Sequence, residues 1–318
     1  LASHNQENQD AIARQDGVRL VVSLLDKPWE RSGGPMPEGA VAVLASAASA
    51  VMELSLHNGA NQKAVVECNG IAQLAALMTL DSTHADVKAE VAGALWALAE
   101  DAKAIQVSIA EARAIPPLVQ LLGDGEERAH HHASGALSSL GLDNRENQIE
   151  ITQLLIEPLS RGAPVAQERA ATALWTLIRE NASAHEAIAK AADPAALVEL
   201  LKAGIPSARD YAVWALSLSI EGTECQATIA EAGGVGPLIA QLSDKRPVIQ
   251  QQAAEALAKL AHDNRETNTA ITQAGGVEPL LALIRDVAPS KPPKEPANST
   301  PTWSLELARE ASASAVHE

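Results

Sequence analysis

The sequence predicts an all-α fold, a solenoid of about seven three-helix repeats, and three observations carry the prediction. A block recurs along the chain: Gly17-Val18-Arg19-Leu20, Asn69-Gly70-Ile71, Ile115-Pro116-Pro117-Leu118, Ile156-Glu157-Pro158-Leu159, Pro194-Ala195-Ala196-Leu197, Gly234-Val235-Gly236-Pro237-Leu238 and Gly276-Val277-Glu278-Pro279-Leu280. The equivalent leucines Leu54, Leu98, Leu140, Leu177, Leu216 and Leu260 are spaced by 44, 42, 37, 39 and 44 residues, periods in the range of helical arrays. Composition agrees, because 47% hydrophobic residues with 2% aromatics and no Phe leave a core of Leu, Ile, Val and Ala, which suits closely packed helices.

Within a unit, a short first helix opens on Asn and carries an apolar residue seven positions on, as in Asn58/Asn61/Val65, Asn144/Asn147/Ile151 and Asn264/Asn268/Ile271. The leading Asn can accept from the unpaired amides at the helix start. Gly17, Gly70, Gly234 and Gly276 stand where a left-handed residue would end that helix and turn the chain. A following Pro is pre-set for the first turn of the second helix. That second helix shows Leu238/Leu242 and Leu280/Leu283/Ile284, and the third shows Leu95/Leu98, Leu174/Leu177 and Val213/Leu216, each at helical spacing. The periods expected are 1–53, 54–97, 98–139, 140–176, 177–215, 216–259 and 260–318. Ile105 and Ala184 replace the second Asn in the third and fifth units, whose first helices are expected to fray. Two Pro-rich insertions, 27–39 and 287–302, read as loops between a second and a third helix.

Lys plus Arg total 24 against 40 Asp plus Glu, a formal charge of −16. That is the reverse of a phosphate-binding footprint and argues against nucleic acid. Cys68 and Cys225 are too few for a disulfide framework or a thiolate zinc site and read as reduced thiols. The Ala-rich run from Gly39 to Met52 falls short of the ~20 strongly apolar residues of a membrane span. No Ser/His/Asp or Cys/His arrangement and no distinctive carboxylate pair is recognisable, so neither an enzyme nor a cofactor is expected. His130, His131 and His132 diverge by ~100° each around a helix and suit a solvated groove edge better than a metal. Gly233-Gly234-Val235-Gly236 lacks the Lys-Ser/Thr of a phosphate loop, and the glycosylation-like triplets at Asn181 and Asn298 are discounted.

The stretch Asn-Arg-Glu-Thr-Asn-Thr-Ala-Ile-Thr-Gln-Ala-Gly-Gly-Val-Glu-Pro-Leu-Leu-Ala-Leu-Ile at 264–284 resembles the armadillo repeat consensus, and the resemblance extends over nearly the whole chain. HEAT arrays, without the Gly-Gly turn, rank second. Leu1-Ala2-Ser3-His4-Asn5 is in phase with Leu54-Ser55-Leu56-His57-Asn58, so the chain reads as a segment of a longer array with further repeats or domains in the parent. The resemblance implies a right-handed superhelix whose third helices line a concave groove that binds a protein segment. Trp96, Trp175 and Trp214 stand just after core residues of that helix, so they are expected to be partly exposed, with Trp175 and Trp214 about 10 Å apart on adjacent units as anchors. Family members that bind extended peptides carry Asn four residues after such a Trp. Here those positions hold Leu56, Glu100, Leu142, Arg179, Leu218 and His262, which counts against an importin-like transport receptor. Thr172, Tyr211, Glu255, Arg145, Arg265 and Lys103 complete the expected groove as a mixed-charge set. The function expected is a non-enzymatic scaffold in the cytoplasm or nucleus. A transport receptor and the substrate arm of a U-box ubiquitin ligase are the alternatives.

Overall fold

The computed structural model describes residues 5–26, 37, 39–79, 84–124, 126–181 and 185–287, and every regular element among them is an α-helix. Most of the first expected insertion, nearly all of the second and the end of the last expected period lie outside these residues. The chain divides into two compact units, Leu1–His185 and Glu186–Glu318.

The first unit holds α1 (Gln6–Arg14), α2 (Gly17–Ser23) and α3 (Ala40–Ser55), then α4 (Gly59–Glu67), α5 (Gly70–Thr79) and α6 (Ala85–Ala99), then α7 (Lys103–Glu111), α8 (Ile115–Asp124) and α9 (Glu127–Gly141). It closes with α10 (Arg145–Arg161) and α11 (Pro164–Glu180). The second unit holds α13 (Pro194–Ala203), α14 (Pro206–Ser219), α15 (Gly222–Glu231), α16 (Val235–Gln241), α17 (Pro247–Ala261), α18 (Arg265–Gln273) and α19 (Val277–Val287). The short α12 (His185–Lys190) begins at the division between the units.

Asparagines start first helices as the sequence requires. The side chains of Asn5, Asn58, Asn144 and Asn264 accept from the amides of Asn8, Asn61, Asn147 and Thr267 at 3.0, 3.1, 3.2 and 3.0 Å. The turn that follows differs from expectation by one residue. Left-handed backbone falls at Asp16, Asn69, Arg113, Gly233 and Gly275, not at Gly17, Gly70, Gly234 and Gly276. Those four glycines are needed for close approach instead. A Cβ on them would stand 2.4–2.8 Å from the side chains of Ile12, Val65, Ile229 and Ile271, each five residues earlier. The Gly234 and Gly276 amides reach back to the Ile229 and Ile271 carbonyls at 2.9 Å, closing a Schellman turn.

Two further expectations are corrected. In the fourth repeat the first and second helices fuse into the single 17-residue α10, with Pro158 inside it. Leu154-Leu155 stands where other repeats have Ala-Gly-Gly, so no residue there accepts positive φ cheaply. The nine-residue α7 is also intact despite Ile105.

A row of buried amides, unanticipated from the sequence, ties first helices to third helices. Four residues after the cap position stand Gln9, Gln62, Gln106 and Gln148, and five after it Gln226. Gln62 donates to the carbonyls of Ala97 and Glu100 at 2.9 and 3.4 Å, and Gln226 to those of Lys259 and His262 at 2.9 and 3.0 Å. These acceptors lie at the ends of α6 and α17, where the helix leaves carbonyls without internal donors. The Asn of the following repeat then donates to the glutamine oxygen: Asn58 to Gln9 Oε1 at 3.1 Å and Asn264 to Gln226 Oε1 at 3.0 Å.

Third helices stack through small residues. α6 packs between α3 and α9, and Ala89, Ala92, Ala94, Ala97 and Ala99 are buried with Val91, Leu95 and Leu98. At Gly93 a Cβ would stand 2.6 Å from Met52 Sδ and 2.9 Å from His132 Nδ1. Such contacts set α3, α6 and α9 of the first unit against one another.

Candidate interaction surface on the third helices

In the first unit this surface has a built cleft. Trp96, on α6, is half-buried, and its ring lies flat on the backbone of Gly135, where a Cβ would stand 2.6 Å from two ring carbons. The His131 ring meets it edge-on at 5.4 Å and 82°, and His132 lies 6.4 Å away. His132 Nδ1 is 2.8 Å from the Ala89 carbonyl. A carbonyl only accepts, so that nitrogen carries the proton and the ring is held in one orientation. The cleft of about 470 Å³ beside Trp96 is lined by Glu100, Asp101, His131, Ser138, Leu142 and Thr176 among others. His57 Nδ1 pairs with the Glu100 carboxylate at 3.0 Å. The cleft thus combines an aromatic wall, hydroxyls and an acidic rim.

The structure brings together only some of the expected residues. Trp96 and Glu100 share the cleft. On α11, Thr172 and Arg179 are exposed and Trp175 is half-buried, one residue from Thr176 at the cleft wall. Arg145 and Arg265 are exposed at the first positions of the first helices α10 and α18 and not on a third helix. Arg265 lines a separate cavity of about 670 Å³ with Asn268 and Gln273. Lys103 likewise starts the first helix α7.

In the second unit the expected exposure fails. Tyr211 is 0% and Trp214 8% exposed, with ring centroids 5.9 Å apart, and burial pushes the Tyr211 hydroxyl pKa far up. Most of α14 is buried, Ala208, Tyr211 through Ser217 and Ser219, because it packs against both α13 and α17. A Trp one residue off the core stripe stays exposed only where the neighbouring helix leaves that side open, and here it does not. Leu218 is half-buried. Glu255 pairs with Lys259 at 3.7 Å, and His262 is exposed with its carbonyl engaged by Gln226.

His131, expected at a solvated groove edge, lines the cleft, and Gly135 is the cleft residue that sequence reasoning missed. The signal for it was positional: Gly135 stands one repeat on from Gly93, three residues before the Trp-equivalent Ser138. His130 is half-buried, and burial together with the Arg169 charge lowers its pKa. Among the described residues, no group of three or more His, Cys, Asp or Glu side chains is placed to hold a metal, and no helix is long and apolar enough to cross a membrane. Cys68 and Cys225 are free thiols.

The family model of the armadillo/beta-catenin-like repeat matches residues 60–100 and 222–262. No curated protein matches the sequence. Among solved structures, the chain is similar to the crystal structure of an engineered protein, with 26% identity over 98% of this chain and 70% of that one and a TM-score of 0.62. A designed armadillo repeat protein is 19% identical over 94% of this chain and 98% of that one, with a TM-score of 0.38. Another, in complex with a (KR)4 peptide, is 20% identical over 94% and 99%, also at 0.38.

Proposed function

We propose, from the premise that the chain carries armadillo repeats, that it is a non-enzymatic scaffold whose third-helix surface in the first unit holds a segment of a partner protein. One observation carries the reading: the Trp96 cleft is an open site with an indole fixed on Gly135 and two carboxylates at its rim. Such a site offers contact area and orientation for a bound segment. A half-exposed aromatic on a helix is the kind of residue that carries binding energy at interfaces. Glu100 and Asp101 favour a segment with a basic residue beside an apolar one, and Leu142 supplies the apolar neighbour.

The test is selection of peptides from a random displayed library against the whole chain, followed by affinity measurement with Trp96→Ala and Glu100→Gln. Selected peptides should lose about 30-fold in affinity with Trp96→Ala, the ~2 kcal/mol scale of an interface anchor, while helix content stays unchanged. Peptides that bind equally well to both variants would remove this surface from consideration. Salt-resistant, submicromolar binding of a lysine-rich peptide would favour a transport receptor instead, since diffuse attraction to a charge of −16 is screened by salt.

A further inference from the structure

The amide row does not close at every rung: Gln106 Oε1, Asn144 Nδ2 and Gln148 Oε1 have no partner among the described residues, and the rung beside α4 is open as well. Beside α1 the following repeat supplies Asn58, and beside α15 it supplies Asn264. Each caps its own helix and donates to the preceding glutamine. The repeat after Gln62 supplies Ala102 at the same position, so α7 starts with no side-chain cap. The Ile105 amide, which an Asn would have taken, turns back on the Ala102 carbonyl at 2.8 Å.

Gln62 is only 6% exposed. Both its bonds run through Nε2 to carbonyls, which fixes the amide orientation and leaves Oε1 with no donor among the described residues. That oxygen lies 3.9 Å from where a Cβ on Gly59 would stand. Gly59, Gln62 and Ala102 all line a cavity of about 450 Å³ between α4 and α7.

We infer that this cavity is a binding site for a primary carboxamide, the Asn or Gln side chain of a partner protein, which restores from outside the group that Ala102 lacks. The amide NH2 donates to Gln62 Oε1. The amide oxygen accepts from the first turn of α7, where the Ala104 amide has no helical acceptor by position. Neither a carboxylate nor an ammonium fits both ends: the first has no hydrogen for Gln62, the second no acceptor for the helix amides. The charged side chains around the cavity, Lys63 and Lys103 against Glu67 and Asp101, cancel and give no advantage to an ion. The site lies on the first helices α4 and α7 and shares only Asp101 with the lining of the Trp96 cleft.

The experiment titrates the whole ¹⁵N-labelled chain, and its Ala102→Asn variant, with propionamide, propionate and propylammonium. Propionamide should shift the Gln62 side-chain NH2 and the Ala104 and Ile105 backbone signals, with half-saturation on the order of millimolar for so small a probe. The variant, which fills the position covalently, should melt higher and lose the response at least ~10-fold. Absence of shifts in the parent chain, equal shifts from propionate, or an undiminished response in Ala102→Asn would each overturn the assignment.

Discussion

Replacing Gln226 with Ala tests whether the buried amides hold repeats together. The side chain is 5% exposed and makes three bonds: it donates to Lys259 O and His262 O at 2.9 and 3.0 Å and accepts from Asn264 Nδ2 at 3.0 Å. At about 1 kcal/mol net per bond the loss is about 3 kcal/mol. The vacated volume and the orphaned carbonyls at the end of α17 push it upward. At roughly 2–4 °C per kcal/mol for a chain of this size class, the melting midpoint should fall by about 10 °C in a circular dichroism scan. Glu224, exposed on the same helix, is the control, and Glu224→Ala should stay within about 0.5 kcal/mol. If Gln226→Ala melts with the control, the amide row is incidental to stability and the account of repeat coupling fails.

Gly135→Ala forces the Trp96 ring off its seat. It should cost about 1–3 kcal/mol as an overpacked site and move the Trp96 indole NMR signal, while an unmoved signal would show that the ring has room. Trp214→Ala should cost ~3–5 kcal/mol and Trp96→Ala about half as much, because only the first is fully enclosed; equal losses by urea denaturation would contradict the observed burial. His130 is held neutral by burial, Arg169 and His131, with Glu127 opposing. The folded state therefore binds fewer protons than the unfolded state as pH falls through about 6.5. This contribution to stability is whole above that pH and is lost on acidification. His130→Gln should lose less stability than the parent chain between pH 7.5 and 5.5, and identical slopes would refute the assignment.

The parts legible in the sequence were those in which a residue acts on its own neighbours. Asn58 and Asn264 cap amides three residues away, and Leu95 and Leu98 share a helical face, so local spacing sufficed. Gln62 and Gln226 were passed over because their acceptors lie 35 and 33 residues downstream, and nothing in a short window separates a buried Gln from a solvated one. Gly234 was assigned the turn of Gly233 for a related reason. Either glycine permits positive φ, and only the approach of Ile229 distinguishes the two. Trp96 and Trp214 occupy equivalent positions yet differ in exposure, since what covers α14 belongs to its neighbours and not to its own stripe.

The open rung at Ala102 also bears on how the first unit responds to tension. Where Asn58 is clamped by Gln9 and Asp10, parting two first helices means breaking buried bonds in a water-poor space. Between α4 and α7 that particular restraint is missing and a cavity of about 450 Å³ lies there instead. A chain stretched by a motor or an anchored partner should therefore part more easily between residues 62 and 102 than between residues 9 and 58. Occupation of the gap would then act as a rivet, making the resistance of the first unit to force depend on what is bound at its first helices.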